Sequence, residues 1–208
     1  MATSIGPKMK RIRRLGEDFA MAGDRSTAAR YVKLHRKQPP GMHGKRAGFA
    51  KLTGYGQQLR EKQKARVFYN LTEKQLRHYY TAASQQKGST DVGLLVELER
   101  RLDNVVYRAG WTDSHRSARQ LVSHGHLKVN GKAVDVPSFQ IRYGDEVIFS
   151  GKSSIQKTTL QETAKGNQPT SWLKVDNSKL TIQITNLPTR DEIEVPFSEK
   201  IIVEFYSR

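Results

Sequence analysis

The dipeptide Asn130-Gly131 constrains this chain more than any other pair of residues. A two-residue hairpin loop needs φ > 0 at both central positions, and Asn followed by Gly meets that need best. The flanking runs Leu127–Val129 and Lys132–Val136 therefore read as two short antiparallel strands. Just upstream, Thr112, Asp113 and Ser114 each offer a side-chain oxygen that can cap a helix N-terminus. Ala118, Leu121 and Val122 follow at helical spacing, and Gly125 stands where a left-handed terminal residue belongs. Arg116 and Arg119 lie three apart, on neighbouring turns. The stretch Thr112–Val134 is thus a short basic helix packed on a hairpin. The turn is expected to set Lys128, Asn130 and Lys132 near the helix. A small αβ unit with merely solvated arginines would carry the same local signals.

Charge separates the chain into unequal parts. Its 208 residues carry a formal net charge of +16. Residues 1–97 hold 20 Lys and Arg against 7 Asp and Glu, whereas residues 98–208 hold 16 against 13. Such an excess calls for a polyanionic partner, nucleic acid or an anionic surface. The first half is the stronger polyelectrolyte binder, and the second is an ordinary globular domain with basic patches. No apolar run approaches the ~18 residues of a membrane span, and the basic start lacks the apolar stretch of a secretory signal. There is no cysteine, so disulfides and thiolate metal sites are excluded.

In chain order, residues 1–50 form a basic arm with a first cluster at Lys8, Lys10, Arg11, Arg13 and Arg14, further charge at Arg25, Arg30, Lys33, Arg36 and Lys37, and a turn-rich loop that ends at Lys45 and Arg46. Low hydrophobicity and high charge leave this arm open to disorder in the free protein, with order expected on a polyanion. Residues 17–23 suit a short helix. Residues 54–70 form a helix that places Arg60 with Lys64 and Lys62 with Arg66. Its apolar stripe is thin, which suits packing between RNA strands better than packing in a protein core. Thr72 and Gln75 make a capping box for a helix over residues 73–86, with Leu76, Tyr79, Tyr80 and Ala83 on its buried face. The best core stripe is Leu94, Leu98, Leu102, Val105 and Ala109, which predicts one helix from Asp91 to Ala109, with Glu97 and Arg101 paired across a turn. Beyond the hairpin, Phe139, Ile141 and Tyr143 alternate. Residues 147–149, 172–176, 180–184 and 201–205 read as strands by their β-branched content. The polar stretch 150–168 supports only a weak short helix around Ile155–Leu160. The fold class is α+β: a basic, mainly helical N-terminal domain and a small antiparallel-sheet-and-helix domain.

No constellation carries catalysis. There is no phosphate-binding glycine loop and no nucleophile with a base beside it. His124 and His126 are two apart without the further ligands a metal needs. Neither an enzyme activity nor a cofactor is expected.

Arg101-Leu-Asp-Asn-Val-Val-Tyr-Arg108, with Ala118–His124 and Val129–Gly131, resembles the S-four-type RNA-binding domain. Gly41–Gly44, Tyr55–Lys64, Trp172–Asp176 and Ile202–Ser207 extend the likeness. Together they resemble the bacterial or organellar small-subunit ribosomal protein S-four family over nearly the whole chain. The resemblance implies an RNA-binding role at a multi-helix junction in the 5′ domain of small-subunit ribosomal RNA, early enough to nucleate assembly of the subunit body. It also implies contact with ribosomal protein S-five and an effect on translational accuracy, with a weaker contact to messenger RNA where it enters. The positions it marks as RNA-facing are Lys8, Lys10, Arg13, Arg14, Lys45, Arg46, Arg60, Lys62, Lys64, Arg116, Arg119, Gln120, His124, Lys128 and Asn130. The implied parts are residues 1–97 (rRNA-binding, with the flexible arm), 98–186 (the S-four-type domain) and 187–208 (a segment returning toward the N-terminal domain). The likeness is to the zinc-free type, and it implies a ribosome in the cytoplasm, or in the matrix or stroma if organellar. Some RNA-modifying enzymes append the same small domain, but they need a catalytic domain besides. A stress-type RNA chaperone would lack the long basic N-terminal half.

Overall fold

The computed structural model describes residues 7–21, 24–44, 52–151 and 154–207. The chain divides into one unit of Met1–Leu94 with Glu194–Arg208 and a second of Leu95–Ile193.

The first unit is helical. Helices α1 (Lys8–Leu15), α2 (Glu17–Met21) and α3 (Arg25–Val32) occupy the arm that low hydrophobicity had left open to disorder. Their few apolar residues are well spent: Ile12, Leu15, Phe19, Ala20 and Tyr31 are all buried. Asp24 caps α3 by accepting from the Thr27 N–H at 3.0 Å and is held by Lys8 Nζ at 2.9 Å. Lys45 and Arg46 lie outside the described residues.

Helix α4 (Gly54–Phe68) packs more of its surface within the protein than its thin apolar stripe suggested. It buries Gln58, Lys62, Ala65 and Phe68. Its main partner is α10 (Glu199–Tyr206), formed by a segment whose β-branched residues had suggested a strand. Strand propensity spans only about 1 kcal/mol and yields to packing. Ile202 is buried, and the rings of Phe205 and Tyr206 meet Tyr55 at 5.8 Å and Tyr80 at 5.0 Å. The Ser198 N–H donates to the Glu61 carboxylate at 3.0 Å, which anchors the start of that helix on α4. Helix α5 (Glu73–Gln85) opens with the expected capping box between Thr72 and Gln75. It buries Leu76, Tyr79 and Ala83, as the spacing predicts, but Tyr80, expected on the same face, is only half-buried, beside Tyr206.

The expected helix over 91–109 is two helices, α6 (Thr90–Glu99) and α7 (Leu102–Arg108). Arg101 between them is extended and bridges Gln140. The Ile141 N–H donates to the Arg100 carbonyl at 2.9 Å, and the Leu102 N–H donates to the Phe139 carbonyl at 2.9 Å. A passing segment thus takes hydrogen bonds that a continuous helix would have made internally. The apolar stripe hid the break because Leu98 and Leu102 are both buried, on different helices. With the register lost, Glu97 pairs with Arg100 at 3.1 Å, and Arg101 turns to Asp103 instead.

After α8 (His115–Ser123), the second unit is built on an antiparallel sheet of β1 (Leu127–Val129), β2 (Lys132–Ala133), β3 (Glu146–Phe149), β4 (Leu173–Asp176) and β5 (Thr181–Ile184). Their spatial order is β2-β1-β3-β5-β4. Val129 pairs with Val147, Val147 with Ile182, and Ile182 with Val175. The alternation in these strands puts Leu127, Val129, Val147, Phe149, Ile182 and Ile184 into one core with Val105, Val106, Ala118 and Val122. β2 is shorter than the run Lys132–Val136 suggested. The alternating Phe139, Ile141 and Tyr143 make no strand beyond the one bridge at Gln140. The polar 150–168 stretch forms a longer helix than expected, α9 (Ser154–Lys165), which places Leu160 and Ala164 in the core.

Candidate nucleic-acid interface

Helix α8 starts where the Ser114 Oγ accepts from the Ser117 N–H at 3.1 Å, and the chain leaves it through Gly125 at φ 71. Ala118 and Val122 face the core, so Arg116, Gln120 and His124, four residues apart each time, form its exposed outer ridge. Arg119 belongs to the other side. It is 6% exposed, and its Nη1 lies 3.6 Å from Asp103 Oδ2. Asp103 also takes a two-pronged contact from Arg101, Nε to Oδ1 at 3.0 Å and Nη2 to Oδ2 at 2.7 Å. Burial pushes the Asp103 carboxyl above the ordinary aspartate range, against the pull of the Arg101 and Arg119 guanidiniums. This cluster ties α7 to α8. Beside it, Asn104 Oδ1 meets His115 Nε2 at 3.1 Å, and Arg108 Nη2 meets Glu99 Oε1 at 2.7 Å.

The hairpin turn has the φ values its sequence demands, 49° at Asn130 and 78° at Gly131. The Asn130 side chain is a clasp. Its Oδ1 accepts from the Glu146 N–H at 2.9 Å, and its Nδ2 donates to Asp145 Oδ1 at 2.8 Å. Lys128 is exposed between buried Leu127 and Val129, so it points to the sheet face away from the core. It is therefore not set on the helix side of the hairpin, as the turn had suggested. A strand's period of two separates neighbours that a helix would keep together.

In the first unit, Lys10 and Arg14 are exposed on one face of α1, four residues apart. Lys8 pairs with Asp24, and Arg13 Nε donates to the Gln38 carbonyl at 2.8 Å. The basic side chains of α4 are engaged within the protein. Arg60 Nη2 donates to the Leu15 carbonyl at 2.8 Å, at the C-terminal end of α1 where a cation suits the helix dipole. Lys64 pairs with Glu61 at 2.7 Å. Lys62 is 6% exposed, meets Glu73 at 2.9 Å and sits 4.4 Å from the Phe205 ring centroid. Desolvation raises the Glu73 carboxyl, but hydrogen bonds from Lys62 and Tyr206 with the charges of Lys62 and Arg66 carry it below the ordinary glutamate range.

A cleft of 320 Å³ opens between α8 and α9. Asp113, Ser117, Gln120 and His124 line one side, and Thr159 and Thr163 the other. Sequence reasoning missed it, although the first four recur at spacings of four, three and four, one polar stripe along a helix. The opposite wall gave no such signal. Among the described residues no His, Cys, Asp and Glu group could hold a metal ion, and no helix is long and apolar enough to cross a membrane.

Residues 3–99 match the family described as Ribosomal protein S4/S9 N-terminal domain, and residues 100–147 match the S4 domain. The chain is 43% identical over 210 residues to the small ribosomal subunit protein uS4 of Acetivibrio thermocellus, with 100% of each covered. It is 45% identical over 210 residues to that of Desulforamulus reducens and 46% over 211 to that of a Nocardioides species, again with 100% of each covered. These relatives are ribosomal proteins, not enzymes. A helical basic unit, a small antiparallel sheet with its helix-and-hairpin unit, and relatives matched from end to end lead to one conclusion: the chain belongs to the uS4 family of small-subunit ribosomal proteins.

Proposed function

We propose that this protein is a structural constituent of the small ribosomal subunit and binds the subunit's ribosomal RNA directly, at a multi-helix junction of the 5′ domain, nucleating assembly of the body. The observation that carries this reading is the split along α8. Ala118, Arg119 and Val122 are committed to the core, while Arg116, Gln120 and His124 stand exposed as a ridge. On a chain of net charge +16, that exposed ridge suits RNA, with Arg116 as its phosphate contact. Side chains cannot read the deep major groove of A-form RNA, so recognition rests on junction shape, phosphates and 2′-OH groups. Lys10, Arg14, Arg116, Gln120, His124 and Lys128 are the direct contacts in this reading. Lys8, Arg13, Arg60, Lys62, Lys64, Arg119 and Asn130 act by holding the surface in shape, and the basic ones with exposed atoms also add to its positive field. Lys45 and Arg46 belong to the segment nearest messenger RNA. Contact with ribosomal protein S-five, through which accuracy is affected, completes the proposal, as does location on the ribosome. Residues 1–97 and 98–186 are the RNA-binding parts, and 187–208 supports the first.

The test is binding to the 5′ domain of small-subunit ribosomal RNA over a salt titration, with transfer RNA and duplex DNA as competitors. Tight binding that survives competitor at physiological salt is the expected result. Equally weak binding to all three, vanishing with salt, would reduce the charge to a non-specific effect and overturn the proposal.

A further inference from the structure

We propose that the cleft between α8 and α9 holds a single unstacked guanine base, presented by the bound RNA. The inference rests on the RNA-binding reading above and adds a site to it. At 320 Å³ the cleft stands at the low end of the ~300–1,000 Å³ range of ligand pockets, and suits one base rather than a length of backbone. Its floor is apolar and aromatic, built from Trp111, Leu121 and Leu160. Its rim is polar, carrying Asp113, Gln120 and His124. Trp111 is fully buried, and its Nε1 has no hydrogen-bond partner among the described residues.

Asp113 decides the ligand. On a chain this basic, a carboxylate in the cleft is the wrong charge for a phosphate. It is the right group for a base edge that offers donors. The Watson–Crick edge of guanine presents N1–H and the N2 amino group side by side, and one carboxylate accepts from both. Cytosine and adenine set a ring-nitrogen acceptor there, which would face the carboxylate lone pairs. Uracil offers one donor only. The Gln120 amide, about two turns further along the same stripe, can donate to guanine O6. The rings of His124 and His126, 5.9 Å apart and inclined at 58°, provide an aromatic end wall. Unstacked bases of single-stranded RNA are held in just this way, by aromatic faces and by hydrogen bonds to their edges. The second wall comes from α9, so the 150–168 stretch gains a role that its composition did not suggest.

The experiment uses the full chain bound to the 5′ domain of small-subunit ribosomal RNA, with a glyoxal reagent that reports guanine N1 and N2. Thr163→Trp fills the cleft, and Asp113→Asn keeps its shape while replacing an acceptor oxygen by a donor. Wild type is expected to protect one guanine outside the base-paired segments. Both variants expose it and weaken binding by about fivefold, roughly one net hydrogen bond, with the salt slope unchanged because no phosphate contact is lost. If Asp113→Asn, an exposed and fold-neutral change, leaves every guanine's reactivity unaltered and the affinity within about twofold, the cleft proposal is overturned while RNA binding stands. If wild type binds this RNA no better than transfer RNA, the RNA-binding reading itself falls. Guanosine monophosphate added to the RNA-free chain, followed by the Trp111 indole N–H resonance, separates the two sources of guanine. A shift there with no RNA guanine protected would assign the cleft to a free nucleotide and overturn the RNA assignment.

Discussion

Arg119 and Arg116 are one turn apart on the same helix and do opposite things. Arg119 is buried with its Nη1 3.6 Å from the Asp103 carboxylate, and Arg116 is exposed. Replacing each by alanine should separate stability from binding. Arg116→Ala is expected to leave the denaturation midpoint unchanged and to lower the salt slope of RNA binding by about 0.7–0.9, one phosphate contact. Arg119→Ala is expected to cost about 1–3 kcal/mol of stability, since it removes a buried partner from Asp103 while Arg101 remains. Urea titrations of both variants check this. Equal midpoints would mean that the Arg119–Asp103 contact contributes nothing.

The Asn130 clasp can be tested at the same hairpin. Asn130→Ala removes two side-chain bonds to the 145–146 backbone and side chain and places alanine at φ 49. A loss of about 1–3 kcal/mol is expected from the missing bonds and the left-handed strain together. Gly131→Ala, at φ 78, should cost about 1–2 kcal/mol from strain alone. Thermal denaturation gives the order. A smaller effect at Asn130 than at Gly131 would show that the clasp does not hold β3 to the turn.

Glu73 predicts an acid limb. Its folded carboxyl lies below the ordinary 4.5, so folding favours the ionised form. That contribution is present above the unfolded value and is lost as pH falls through the depressed folded value. Glu73→Gln is expected to flatten this part of the stability curve and to leave Lys62 buried without its carboxylate at neutral pH. Chemical denaturation from neutral to acid pH would measure it. An acid limb of unchanged steepness in the variant would remove Glu73 from its origin.

Helix α10 covers the buried side of α4. Removing residues 194–208 uncovers Phe68 and the Lys62–Glu73 pair and takes away the Tyr206 hydroxyl that donates to Glu73 at 2.8 Å. The expected result is rapid amide hydrogen exchange in α4 and α5, with β1, β3 and β5 still protected. Protection retained in α4 would mean that the first unit does not depend on its C-terminal segment.

Local chemistry was legible in the sequence wherever the requirement is local. The Asn130-Gly131 turn, the Thr72–Gln75 capping box and the Gly125 exit each depend on a few adjacent atoms and form as read, and of the three candidate caps at 112–114 it is Ser114 that caps the helix. β-branched content likewise marked the segments that become β3, β4 and β5, whereas the one alternation read, at Phe139, Ile141 and Tyr143, makes no strand. Charge and motif order were enough to point to an RNA-binding family.

What tertiary structure decided was everything that depends on a distant partner. A segment some forty residues on takes the hydrogen bonds at Arg101 and splits one apolar stripe into two helices. The face of α4 turns a β-branched tail into a helix and draws Lys62 inward to Glu73. Arginine and lysine read alike in a sequence whether they serve RNA or a buried carboxylate. Only the fold brings Asp103 to Arg119 and leaves Arg116 facing out, because a charge can be buried only where a partner from elsewhere in the chain offsets its lost hydration.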